Sequence, residues 1–428
     1  MKFFAKINLL RLAQLFFGAG VFILPLRIRS LIFADGAYSL GFFDEYRAFF
    51  IHASELFFLV AFALLGLAFI FRGVKMRKIP VKFLLPFLIL LAVKIAVVPF
   101  SRDPILSLLH FWRTFEFAVG AFFVASGVFE LRAVVRILAA AFFLQSALAV
   151  AQFFARGELG LHFFGESFFT AETFNVGKTV LPSGDVLVRG MGTLPHANIF
   201  AGLAAVVLLL LAARERKYSL VYFVAVVIFA GMFFAFSRAA DLAFFAGLLV
   251  LLVFNFRRRI FSTAAALGMF SFLIFFFGAP FFVRIQNSPA SSIDRFSQIS
   301  QSVAIARENI FGVGRGEYTA ALAEQFSALD FWQIQPVHNF FALKTAEESI
   351  FTAFAWVAIF AVFALWGFRE KKFEVLALVV GLFLLANFDH YFSSNFTGEA
   401  VLWIAFAFVV AEISARPDFE KSAVKSSK

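Results

Sequence analysis

Residues 53–71 read ASELFFLVAFALLGLAFIF, and residues 72–78 read RGVKMRK. The first stretch carries one charge, Glu55, near its start, and is otherwise long enough to cross the hydrocarbon of a bilayer, which takes about 20 apolar residues. A surface helix of a soluble protein keeps a polar face, and this stretch has none. The second stretch sets Arg72, Lys75, Arg77 and Lys78 at its end, the arrangement that holds a span's end in the cytoplasm. The same grammar recurs along the chain. Segments near 8–25, 53–71, 83–99, 105–127, 134–155, 197–213, 218–236, 240–256, 260–282, 346–368, 373–389 and 397–413 read as about twelve spans. Lys2 and Lys6 give the first a signal-peptide look, but Leu24-Pro25-Leu26-Arg27 follows it where small residues would mark cleavage, so it reads as a span.

Composition agrees. Of 428 residues, 62% are hydrophobic and 15% charged, with mean hydropathy +0.90, against about 45–50% and about 25% in soluble chains. Seventy Phe cannot all be buried in a water-soluble globule of this size, so much of the apolar surface faces lipid. The net charge of +11 sits in short clusters between apolar runs rather than on one face, which argues against nucleic-acid binding. With no Cys, disulfides, thiolate nucleophiles and Cys-ligated metals are excluded. The fold class is an all-α polytopic integral membrane protein, residues 1–428 forming one membrane domain.

The loops alternate in charge. Basic clusters follow the second, fourth, sixth, eighth and tenth spans (Arg72 to Lys82, Arg132 and Arg136, Arg214 to Lys217, Arg257 to Arg259, Arg369 to Lys372). Further Lys and Arg mark both termini. About 23 of the 38 Lys and Arg then share one side, which the positive-inside rule makes cytoplasmic, with both termini there. The external side holds two long loops, 156–195 and 284–345, the latter between spans nine and ten. In the second, Ile293, Phe296, Ile299, Val303 and Ile310 recur at helical spacing over Ser291–Ile310, predicting an amphipathic helix on the outer leaflet or over the site as a lid.

Ionisable groups at membrane depth cost roughly 2.5 to 3.5 kcal/mol at a helix centre and call for reasons. Lys94 reads as a snorkelling stem. Arg113 with Glu116, and Arg238 with Asp241, are spaced i,i+3 and read either as helix-face ion pairs or as substrate contacts. Gly312-Val313-Gly314-Arg315-Gly316 lacks the Lys-Ser/Thr of a phosphate loop and reads as a turn. No two of the six His have HxxH or HExxH spacing, so the sequence shows no zinc motif. His196, His338 and His390 do gather at external ends of spans, with Arg at the same level. Such a site can handle an anion and a proton together.

Four external segments, in order, resemble the O-antigen ligase/polymerase family of membrane glycosyltransferases, which includes protein O-oligosaccharyltransferases. They are RGMGTLPHAN (Arg189 to Asn198), Phe236-Ser237-Arg238, ENIFGVGRG (Glu308 to Gly316), and His338-Asn339 followed by Ala346-Glu347. Asp389-His390-Tyr391 before the last span also fits. The resemblance covers roughly residues 100–412. Asn309 stands where the family usually has Pro, Ala342 where it has Leu, and Ser349 where it has Gly, the last putting the packing of the tenth span in question.

The resemblance implies a GT-C-like enzyme of the bacterial inner membrane that takes a glycan from an undecaprenyl-diphosphate carrier to an acceptor hydroxyl on the external face. The acceptor is lipid A core (as in lipopolysaccharide biosynthesis), a growing glycan or a protein, with no cofactor and no metal. On that reading His338 is the catalytic base, with Glu347 assisting. Arg189, Arg238, Arg315 and Arg113 are candidates to hold the diphosphate in place of a metal, with His196, Asn198 and Asn339 as further substrate contacts. The rival reading is a polysaccharide transporter or flippase, which would be expected to show related halves and helices broken near the midplane. Here the halves look unlike each other, and the polar residues collect at one face.

Overall fold

The computed structural model describes residues 8–173, 176–214, 219–254, 256–286 and 288–415. Lys2, Lys6, Arg216, Lys217 and the basic residues from Arg416 onward lie outside them. The chain opens with α1 (Leu9–Ile23), a hairpin of β1 (Arg29–Phe33) and β2 (Phe49–His52), then α2 (Ala53–Arg72), α3 (Val81–Val97), α4 (Pro104–Ala125) and α5 (Leu131–Ala155). A second hairpin, β3 (Lys178–Val180) with β4 (Val186–Val188), precedes α6 (Ala197–Arg214), α7 (Ser219–Phe234), α8 (Arg238–Phe254) and α9 (Phe256–Gln286). Then come α10 (Ser288–Glu308), α11 (Tyr318–Gln325), α12 (Phe340–Glu348), α13 (Ile350–Arg369), α14 (Phe373–Phe388), the one-turn α15 (Tyr391–Ser394) and α16 (Phe396–Ser414).

A helix lies over each of the twelve apolar segments. Eight of these helices (α2 to α6, part of α9, α13 and α16) are long and apolar enough to cross a membrane. Three more, α1, α7 and α14, are apolar but shorter, and α8 begins with Arg238 and Asp241. The two hairpins are antiparallel, β1 pairing Arg29 with His52 and slipping register between Leu31 and Phe33.

Local sequence explains the helix ends. Asp103 accepts from Leu106 N (2.9 Å) ahead of Pro104, and Asn395 accepts from Gly398 N (3.0 Å), each side chain satisfying a backbone donor that the first turn leaves unpaired. The core is built on α6 and α16, the most buried of the eight long apolar helices described, as expected of helices enclosed by others. Without a hydrophobic driving force between helices in lipid, close packing has to supply the attraction. At Leu209 of α6 it does so through two glycines. A Cβ on Gly247 of α8 would come within 2.6 Å of Leu209 Cδ2, and one on Gly381 of α14 within 2.5 Å of its Cδ1.

The expected helix over Ser291–Ile310 is present as α10, but its stripe is split: Ile299 packs inward on a buried cluster with Ile305, other members face outward, and the Ile293 side chain lies outside the described residues. Phe296 (72% exposed), Val303 and Ile310 are exposed, while Ile305 and Ser302 are buried. Its inner face meets the segment around His338, with Ser302 Oγ donating to Ala342 O (2.9 Å) and Gln298 Oε1 accepting from His338 N (3.2 Å). The reason is polar: those backbone groups sit next to α12 and need partners.

Candidate functional site

The turn between α14 and α15 carries Asp389 and His390, and His338 comes up against it from the start of α12. His338 Nδ1 is 3.5 Å from Asp389 Oδ1, and Asp389 Oδ1 also accepts from His390 N (2.8 Å). The two imidazole rings are 5.2 Å apart, and His390 Nε2 lies 3.8 Å from Asp389 Oδ1. His390 Nδ1 lies 2.5 Å from Ser394 Oγ. Burial works to raise the Asp389 carboxyl, but the hydrogen bond and charge of His338, with His390, outweigh it and hold it well below the usual carboxylate range. Burial pushes His390 down to about 4, against the opposing pull of Asp389, so near neutral pH this ring is uncharged. The His338 side chain remains 24% exposed, so it faces the opening while its partners are buried.

Two arginines lie near each other, one of them beside the residue that precedes Asp389. Arg295 of α10 lies over the ring of Phe388 (5.9 Å), next to Asp389 in sequence, and its charge acts on Arg238 at the start of α8. Asn339, expected to contact substrate, caps α12 by accepting from Ala342 N (2.8 Å) and donates to Asn387 O (3.1 Å), so it ties α12 to the end of α14. An Asn directly ahead of an apolar run is a recognisable cap signal.

The glycine-rich run is a wrapped loop. Val313 N donates to Ala346 O (2.9 Å), Gly314 N to Glu347 O (2.9 Å) and Gly316 N to Glu347 Oε1 (2.9 Å). Gly312 has φ +85°, and a Cβ there would lie 2.3 Å from Glu347 O, so backbone freedom and close approach both require glycine. Glu347 is therefore held by this loop rather than by His338. Burial pushes its carboxyl up to about 7, opposed in part by Lys344.

Arg315 and Lys94 are where the structure departs most from expectation. Arg315 is buried and forked on Glu399 of α16 (Nη1–Oε1 3.2 Å, Nη2–Oε2 2.6 Å), and donates to Ser393 O (2.6 Å) and Thr114 Oγ1 (3.0 Å). Its guanidinium is thus already engaged by protein groups on several sides. Lys94 does not snorkel: it is 4% exposed and bonds Glu348 (2.6 Å), which also takes Lys344 (2.6 Å). Arg113 pairs across helices with Glu55 (3.1 and 3.2 Å) and donates to Phe50 O. It does not pair along its own helix with Glu116, which is buried near Glu55 as well. Arg113 and Arg315 do share one feature, the lining of a cavity of about 70 Å³ with Arg27, Arg29, Tyr46 and Glu347.

Arg189, His196 and Asn198 form a group of their own. Arg189 donates to Ala235 O (2.6 Å) and Asn198 Oδ1 (2.5 Å), and His196 Nδ1 accepts from Asn198 N (3.1 Å). They brace the α7–α8 turn, where Phe236 takes φ +46°. The charge of Arg189 also acts on Asp241, so Asp241 looks toward another loop as well as along its own helix. The sequence singled out His338 but left no sign of its pairing with Asp389, of Arg295 beside Phe388, or of the carboxylates Glu399 and Glu348. Only Lys344–Glu348, at i,i+4, left a local trace.

No curated protein matches the chain. Residues 223–347, from within α7 to α12, match the family model described as O-Antigen ligase. That span holds Arg238, Arg295, Arg315, His338, Asn339 and Glu347, and the loop wrapped around Glu347 lies within it. That stretch is thus similar to the O-antigen ligase family, and it lies in a mainly helical fold, eight of whose described helices are long and apolar enough to cross a membrane.

Proposed function

We propose that the protein transfers a glycan from an undecaprenyl-diphosphate carrier to an acceptor hydroxyl on the external face of the bacterial inner membrane. All twelve apolar helices span the bilayer in this reading, both termini are cytoplasmic, and the two external loops are 156–195 and 284–345. The observation that carries it is the His338–Asp389 pair, whose partly exposed His338 lies within the stretch that matches the O-antigen ligase family. Asp389 accepts from His338 Nδ1–H and so leaves Nε2 as the base. The acceptor oxygen attacks the anomeric carbon as Nε2 takes its proton. The bond to the lipid diphosphate breaks, and the diphosphate leaves with the electron pair. Arg238 and Arg295 are suited to hold that leaving anion, because guanidinium forks match phosphate oxygens and stay charged. No metal takes part. Arg189 and Arg315 act as positioning residues, and the cavity beside the His390 turn is suited to the acceptor.

Labelled lipid-linked oligosaccharide in proteoliposomes tests this against a flippase. Transfer of label to an acceptor, with His338→Ala and His338→Gln lowering turnover by roughly 10²–10⁴-fold while donor binding survives, is the expected result. Movement of label across the bilayer with its diphosphate bond intact would overturn it. A reporter fused after residue 325 that reads cytoplasmic would remove the external site altogether.

A further inference from the structure

We propose that His338, Asp389 and His390 form a zinc-binding site, and that an ion held there switches transfer off. The inference rests on His338 being the base, and it adds regulation to that site. The three side chains each offer one ligand atom, and these atoms all lie within 4.8 Å of one another. Two of the separations are 3.5 and 3.8 Å, both to Asp389 Oδ1. Bonds of about 2.0–2.2 Å in tetrahedral geometry put zinc ligands roughly 3.3 Å apart, so the cluster needs only a small contraction.

The orientation of His390 adds a second reason. Ser394 Oγ donates to His390 O (3.3 Å), which leaves its lone pairs to accept from His390 Nδ1–H. In the tautomer with the proton on Nδ1, the bare Nε2 lies 3.8 Å from the Asp389 carboxylate. Two acceptors look at each other with no proton between them, and a cation would bridge them. A hydroxyl fixing the far nitrogen is also how metal-binding imidazoles are held. Two imidazoles and one carboxylate suit zinc, whereas magnesium and calcium prefer oxygen donors throughout. Arg295, near Phe388, opposes a cation here, so nitrogen-donor affinity rather than bulk charge has to drive binding. The partly exposed His338 edge leaves a fourth position for water.

Exclusivity follows from the imidazole. Zinc on His338 Nδ1 displaces the proton that Asp389 holds there. A neutral ring must then carry its proton on Nε2, the atom that has to accept one from the acceptor hydroxyl. The base becomes a donor, and the reaction stops.

The test uses the full chain in lipid nanodiscs, with zinc chloride titrated against a chromogenic zinc chelator, and the transfer assay run in parallel. One zinc per chain is expected, with transfer falling over the same zinc range and recovering on chelation. His390→Asn and Asp389→Asn should abolish binding. Ser394→Ala, which leaves all three ligands in place, should weaken it by about 10–100-fold. Absence of stoichiometric binding, or binding untouched by His390→Asn and Ser394→Ala, would overturn the site. Binding at the site with transfer unimpaired would overturn the switch. Because binding is read without turnover, it is separable from the base assignment: zinc held by these residues in a protein whose His338→Ala variant still transfers glycan would support the site and remove the base.

Discussion

Replacing Glu399 with Gln should be among the most damaging conservative changes in this protein. Three cations, Arg315, Lys94 and Lys344, face three carboxylates, Glu399, Glu348 and Glu347, in one buried cluster. Glu399 accepts two bonds from Arg315 and one from Thr114 Oγ1 (2.6 Å). The amide keeps the shape of the carboxylate but removes one negative charge, and turns one acceptor into a donor against the guanidinium. Breaking a buried pair from one side costs about 3–5 kcal/mol, because the remaining charge is stranded. Surface pairs are worth about 1 kcal/mol or less. The assay is equilibrium unfolding in mixed micelles with rising dodecyl sulfate fraction, followed through the buried Trp356 and Trp403. Arg315→Met combined with Glu399→Leu should cost less than Glu399→Gln alone, since an apolar replacement of both partners strands nothing. A Glu399→Gln loss at or under about 1 kcal/mol would refute the argument, and show that water reaches Arg315.

Other consequences are as direct. Ser349 has φ +92°, a conformation that favours Gly, so Ser349→Gly should relieve about 1–3 kcal/mol of backbone strain, less about 0.5–1 kcal/mol of chain entropy, and raise the unfolding midpoint in the same assay. Gly312→Ala meets Glu347 O at 2.3 Å with φ +85°, and should lower the folded yield judged by size-exclusion of the detergent-solubilised protein. Glu347 binds its proton more tightly in the folded protein (about 7) than its ordinary value of 4.5. Its contribution is then fully present below pH 4.5 and lost as pH rises through about 7, and the midpoint of Glu347→Gln should lack that decline. Arg238→Lys should keep expression but lose most transfer, because an ammonium keeps the charge without the fork.

The apolar runs and the basic clusters between them were sufficient to place twelve helices, because the cost of exposing backbone and charge to lipid is read along the chain, residue by residue. His338-Asn339 and the glycine run were visible for the same reason, as short motifs contiguous in sequence. The role of the glycines was not, since Gly312 owes its identity to Glu347 O on a different element. Nor could spacing pair His338 with Asp389, 51 residues away, Arg315 with Glu399, 84 away, or Lys94 with Glu348, 254 away. Along-helix rules offered Glu116 to Arg113, whereas the fold supplied Glu55 from a neighbouring helix. A buried charge takes whichever partner tertiary packing brings within about 3 Å. The energy that decides it depends on distance and dielectric, and neither is a property of the chain before it folds.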